Sequence, residues 1–292
     1  MHRHDLSLVL PILPPYTEQE LLAHRRDRML PYEFYRDDHM HDVSESFKLV
    51  TRQGMEKFLI QNHRSEGAIT RVMNAFRRRA WDYLAGLHVQ YSAGFPLSSL
   101  QSFFPILLES WEDFAEYDKA FDETARAGGR KVPHLDLYDA GYWSALRLAC
   151  FAIGLGYTHL LPRVAALWDY ENDDRDGLLE RLIAPYVPGR AAPPDTCTRH
   201  LPYFKTLKIF SAPPEQRPAL MSRYLDAWYK ASRREPYYDS HTQGRLHGYQ
   251  GYWSFEAAAI VVELGIDDSS FRDKPFYPAE FADCGKQARC AE

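Results

Sequence analysis

The stretch Tyr252–Leu264 does most to constrain the fold. It is apolar on almost every face, interrupted chiefly by Ser254, Glu256 and Glu263. A helix apolar nearly all round must be covered by other elements on several sides. Asp139–Leu155 has the same character and is closed by Gly154 and Gly156. The two helices therefore form the centre of one lobe, and Trp143 and Trp253 are expected to be largely inaccessible. Each helix carries one main charge, Arg147 and Glu256. An unpaired buried charge is costly, so these two are expected to form a buried ion pair, directly or through one polar group. After the second helix, Gly265 suits a left-handed C-terminal position. Asp267, Asp268, Ser269 and Ser270 offer caps for a following helix, and Pro275 and Pro278 redirect the chain.

The remainder also reads as helices. Thr17-Glu-Gln-Glu20 fits a capping box and opens a helix to about Met29. Residues 32–62 read as helical. Ile69, Val72, Met73, Phe76, Trp81, Leu84 and Leu87 form one side of a helix over 65–92, closed by Gly94. A further helix over 98–122 begins apolar and turns strongly acidic. Shorter helices are expected at 158–168, 176–184, 200–210 and 215–231. Val and Ile seldom alternate with polar residues, so no strand is predicted. The clearest break is Ala127-Gly-Gly-Arg-Lys-Val-Pro133. The expected architecture is all-α and two-lobed: an N-terminal helical domain over 1–126, a C-terminal helical domain over 133–283, and a flexible tail over 284–292. Gly141-Tyr-Trp-Ser144 recurs as Gly251-Tyr-Trp-Ser254, which leaves duplication and a shared packing need both open.

With 292 residues, 45% of them hydrophobic, the chain can bury a sizeable core. A formal net charge of −5 argues against a general affinity for nucleic acid. The four cysteines include no Cys-x-x-Cys pair, which suits a reducing cytoplasm, with a Cys284–Cys290 link left open. Leu6–Leu13 is too short to span a membrane and reads as part of a proline-rich arm rather than a signal peptide. No cofactor is called for.

Catalytic equipment is sparse. His39 and His41 with Asp42 are the one pattern that resembles a metal site or a His-Asp hydrolase pair. No further ligands stand at helical spacing nearby. Ser144 and Ser254 lie outside any Gly-x-Ser-x-Gly setting. Arg77, Arg78 and Arg79, with Arg71, point in different directions on a helix and read as a solvated face. Two acidic clusters stand out. Glu109, Glu112, Asp113 and Glu116 share one helix face, extended by Asp118. Asp169, Glu171, Asp173 and Asp174 form the second. Each reads either as a soluble surface or as a decoy for the DNA backbone.

The order Gly251-Tyr252-Trp253-x-Phe255-Glu256-Ala-Ala-Ala, then Asp267-Asp268-Ser-Ser270-Phe-Arg272-Asp and Tyr277-Pro278, resembles the C-terminal domain of the PoNi-type bacterial immunity proteins. Those are all-helical proteins that neutralise PoNe-type DNase toxins delivered by bacterial secretion systems. The resemblance implies a cytoplasmic protein that binds a cognate nuclease toxin and masks its active site. It implies no catalysis, no direct contact with nucleic acid and no membrane partner. It strengthens the decoy reading of the two acidic faces. The rivals are a helical metal-dependent hydrolase using His39, His41 and Asp42, and a helical scaffold for a partner that is not a toxin.

Overall fold

The computed structural model describes residues 18–27, 29, 50–124, 131–243 and 248–291. Among these the regular elements are all helices, with no strand. The chain divides into two compact units, Met1–His134 and Leu135–Glu292.

The first unit is organised by two long helices. Helix α1 (Glu18–His24) and α2 (Arg52–Gln61) accompany α3 (Glu66–Ala93) and α4 (Leu97–Thr124). Gly94 ends α3 at φ 100°, and Phe95 N–H donates back to Gln90 O at 3.0 Å, satisfying a carbonyl that the helix leaves unpaired. Only Gly tolerates the site, because an ideal Cβ there would stand 2.6 Å from the backbone of His24. The short turn sends α4 back along α3. Phe76 stacks on Tyr117 at 4.8 Å and Tyr83 meets Phe103 at 5.5 Å, the pairing that antiparallel helices produce. Helix α1 ends at His24, short of the expected Met29. Beyond it, Arg26 and Asp27 N–H groups donate to Ser92 O at 3.1 and 3.0 Å, which fastens this segment to the end of α3.

In the second unit, α5 (Ala140–Gly154) and α10 (Phe255–Leu264) lie at the centre. Around them are α6 (Leu161–Asp169), α7 (Gly177–Ile183), α8 (Leu207–Ser211), α9 (Arg217–Ala231) and α11 (Ala279–Ala291). Every residue from Ser144 to Gly154 and from Phe255 to Glu263 is buried, as helices without a polar face require. Phe151, Phe255 and Phe281 pack edge to face, with centroids 4.8–5.8 Å apart. The close approach of α5 to α11 depends on small residues. A Cβ at Gly154 would fall 1.9 Å from the Phe281 ring, and a Cβ at Gly285 would stand 3.1 Å from Gly154 Cα.

Three expectations require correction. Trp143 and Trp253 are half-buried, not inaccessible. Each stands at the entry to its helix. The capping residues at 267–270 lead first into turns, and α11 starts only at Ala279. Residues 284–291, read as a tail, form the second half of α11. There Gly285 is buried and Arg289 donates to Val262 O and Glu263 O at 2.8 and 2.9 Å. The repeated Gly-Tyr-Trp-Ser does not mark equivalent positions. Gly141 lies inside α5, whereas Gly251 precedes α10 in irregular backbone at φ 101°. All four cysteines are free.

Candidate functional site

The family-like motif is built into the core of the second unit. Glu256 stands in the first turn of α10 and is 4% exposed, and among the described residues it makes no ion pair. Its Oε1 accepts from Tyr224 OH and Trp228 Nε1 at 2.6 Å each, and from Ser254 Oγ at 2.8 Å. Burial raises the carboxyl above its ordinary value, against the lowering effect of these hydrogen bonds. Arg147 lies elsewhere, donating to Gln250 Oε1 at 2.6 Å and stacking over the Trp143 ring at 3.7 Å. The expected Arg147–Glu256 ion pair is therefore absent. At Glu256, neutral donors do the work that an opposite charge would have done.

The other motif residues fix the segment between α10 and α11. Asp268 is 6% exposed and accepts from Tyr277 OH at 2.9 Å, Lys286 Nζ at 2.8 Å and Arg272 at 3.2 Å. Burial acts to raise this carboxyl, but the donors outweigh it and hold it below the ordinary value. Arg272 also grips Asp283 with both terminal nitrogens. Asp267 caps the local turn through Ser269 N–H at 3.0 Å. Tyr252 OH meets His241 Nδ1 at 2.7 Å. Gly251 and Phe276 supply left-handed backbone, and Ser254 N–H donates to Phe276 O at 2.8 Å. Ser270 is exposed and Pro278 directly precedes α11. These residues hold the fold; none is arranged around a reacting centre.

The first acidic cluster does not form a free face. Asp113 is 4% exposed and pairs with Arg79, itself fully buried, at 2.7 Å. Arg79 is thus a core cation, contrary to the reading of 77–79 as a solvated face. Arg52 stands over Glu116 and lies 3.6 Å from Asp113. Asp118 is buried and meets His134 Nδ1 at 2.7 Å. Glu109 and Glu112 are half-buried. Reversing Asp113 would strand Arg79, so the cluster is not a surface patch that can be exchanged without loss of stability.

The second cluster divides into two parts. Asp169 is exposed but gripped by Arg190 at 2.7 and 2.8 Å. Arg190 and Arg175 converge on buried Glu180 at 2.5 Å each. Burial alone would raise Glu180; the two guanidiniums bring it below its usual value. Asp176 is buried as the cap of α7, accepting from Leu178, Leu179 and Thr198 N–H at 2.8–3.0 Å. Glu171, Asp173 and Asp174 remain exposed.

The fold brings a second loop beside these three carboxylates. Asn172 donates to Leu135 O at 2.8 Å and accepts from Leu137 N–H at 3.3 Å, tying the loop at 170–175 to the loop at 135–139. Tyr138, 59% exposed, donates its hydroxyl to Asp174. Asp136 and Asp139 are exposed on the same loop. The result is an acidic surface with a large aromatic side chain in it, drawn from segments 35 residues apart. An exposed Tyr supplies contact area at little entropic cost, and the carboxylates supply attraction for a basic partner. No short-range signal linked Tyr138 to Asp174; only the fold does.

His39, His41 and Asp42 lie outside the described residues. Among those described, no group of three or more His, Cys, Asp or Glu side chains is arranged to hold a metal ion. Likewise, no described helix is long and apolar enough to cross a membrane.

Comparison with known proteins adds three findings. Residues 174–281 match the family described as PoNe immunity proteins (PoNi), C-terminal. No curated protein matches. Among solved structures, the crystal structure of protein PA2201 from Pseudomonas aeruginosa superposes with a TM-score of 0.73 at 19% identity, covering 97% of each chain. That likeness is one of fold.

Proposed function

We propose, from the match of residues 174–281 to the C-terminal model of the PoNi immunity proteins, that this chain protects its cell by binding a PoNe-type nuclease toxin. The reading rests on that family and on one structural observation, the acidic surface around Tyr138. A nuclease presents a basic groove to DNA. A surface carrying Asp136, Asp139, Glu171, Asp173 and Asp174 with an exposed Tyr competes for it. The protein acts by occupying the groove, in the cytoplasm, without turning over a substrate. Its C-terminal helical domain supplies the docking surface, and the N-terminal helical domain completes the two-lobed fold.

The test is a binding rate. The variant Glu171→Lys/Asp173→Lys/Asp174→Lys alters exposed side chains and keeps the fold. Its association with the cognate toxin should slow by about tenfold or more at low salt, with a smaller difference at high salt. Cells expressing the toxin should lose protection. Unchanged association and full protection would exclude this surface as the docking site.

A further inference from the structure

The second unit also holds a groove of about 310 Å³ with the opposite electrostatic character. Thr198, Arg199, His200, Arg233, Arg234 and Glu235 line it. Its inner wall is built. Arg199 donates to Glu235 Oε1 at 2.9 and 3.3 Å and to Tyr138 O at 3.4 Å, which fixes both side chains. Glu235 is 6% exposed, so its charge is spent on Arg199. Thr198 is fixed through its backbone N–H on Asp176 at 2.8 Å, and His200 stacks on Phe204 at 4.9 Å.

Arg233 and Arg234 differ from their neighbours. Both are exposed, and neither makes an ion pair or hydrogen bond among the described residues. In the same unit Arg175, Arg181, Arg190, Arg199, Arg272 and Arg289 each sit on a carboxylate. In a chain of net charge −5, two adjacent unpaired guanidiniums at a concave site are therefore conspicuous. Three guanidinium charges against one carboxylate leave the groove cationic.

We infer that this groove binds an oxyanion, and that its ligand is a small molecule bearing a phosphate group. A carboxylate offers two oxygens. Two guanidiniums and an imidazole offer more donors than that, from several directions, while the Thr198 hydroxyl is already given to Asp176 at 3.3 Å; a phosphate has three terminal oxygens to receive them. The volume suits a phosphate on a small organic body and lies at the lower end of ordinary ligand sites. The groove adjoins the acidic surface through the Arg199–Tyr138 contact, but its ligand does not depend on the immunity reading.

The experiment titrates the full chain with inorganic phosphate and with glycerol phosphate at constant ionic strength, followed by calorimetry and amide chemical shifts. Saturable binding with a Kd of about a millimolar or tighter is expected. In Arg233→Gln/Arg234→Gln, which changes only exposed side chains, it should weaken at least tenfold while the circular dichroism spectrum stays unchanged. A non-saturating response that sodium chloride reproduces would overturn the proposal. So would binding that survives in the double variant. Two competitors separate the other anions. Displacement of phosphate at lower concentration by an Asp- and Glu-rich peptide, or by a DNA oligonucleotide, would reassign the groove to that class and refute a small phosphate ligand.

Discussion

At the scale of single residues, Glu256 is the most demanding position in the C-terminal unit. Three buried donors share one carboxylate oxygen. Glu256→Ala leaves all three unsatisfied and should cost about 3 kcal/mol or more, measured by urea unfolding. Glu256→Gln keeps an acceptor and removes the buried charge, so it should cost far less. The pH dependence follows from the direction of the shift. The folded carboxyl is raised above its unfolded value, so the folded state binds the proton more tightly. Stability therefore rises as pH falls from above the folded value toward the ordinary glutamate value. The difference in stability between the parent and Glu256→Gln should move in the parent's favour across that window. A flat difference would mean that burial does not perturb this carboxyl. The sequence made Glu256 visible as a lone charge in an apolar helix. It could not reveal the partners, because Tyr224 and Trp228 lie about 30 positions away and read simply as core aromatics.

Among the elements, periodicity located the long helices well because their hydrophobic stripes dominate the local pattern. Helix α3 was legible from its apolar side and its glycine stop. The tail was misread because α11 has a weak stripe of its own. Its place is decided by two glycines that let it approach α5 and by carbonyls at the end of α10 that receive Arg289. Removal of residues 284–292 should accordingly lower the melting temperature by several degrees, with a loss of about 2 kcal/mol or more from the Gly285 seam and the Arg289 contacts. Differential scanning calorimetry reads this directly, and an unchanged melting temperature would restore the loose-tail view.

For the whole molecule, net charge proved a poor guide to surface charge. Much of the acidity marked out in the sequence is taken by internal partners: buried Asp113 by Arg79, buried Asp118 by His134, and exposed Asp169 by Arg190. Spacing alone could not distinguish a carboxylate that faces water from one that faces a core arginine. The two clusters should consequently behave differently under charge reversal. Lysines at Glu171, Asp173 and Asp174 should leave the unfolding midpoint within about 0.5 kcal/mol per site and act on association. Asp113→Lys should destabilise the first unit by about 3–5 kcal/mol, because it opposes a buried guanidinium with another cation. Equal stability losses for both sets, measured by denaturant titration, would contradict this division.

The segment 185–198, rich in Pro, Gly and Ala, has a composition that normally marks a bond open to cutting. Here Arg175, Arg181 and Arg190 fasten it to carboxylates and to the carbonyls of Ala191, Ala192 and Pro194. A protease must draw its substrate into an extended strand, and these three side chains would have to release first. Trypsin, which needs those very arginines in its specificity pocket, should therefore leave the peptide bonds after Arg175, Arg181 and Arg190 intact in the native protein. They should be cut only once denaturant has loosened the clamp, so the first appearance of those fragments on a gel reports how firmly the segment is held.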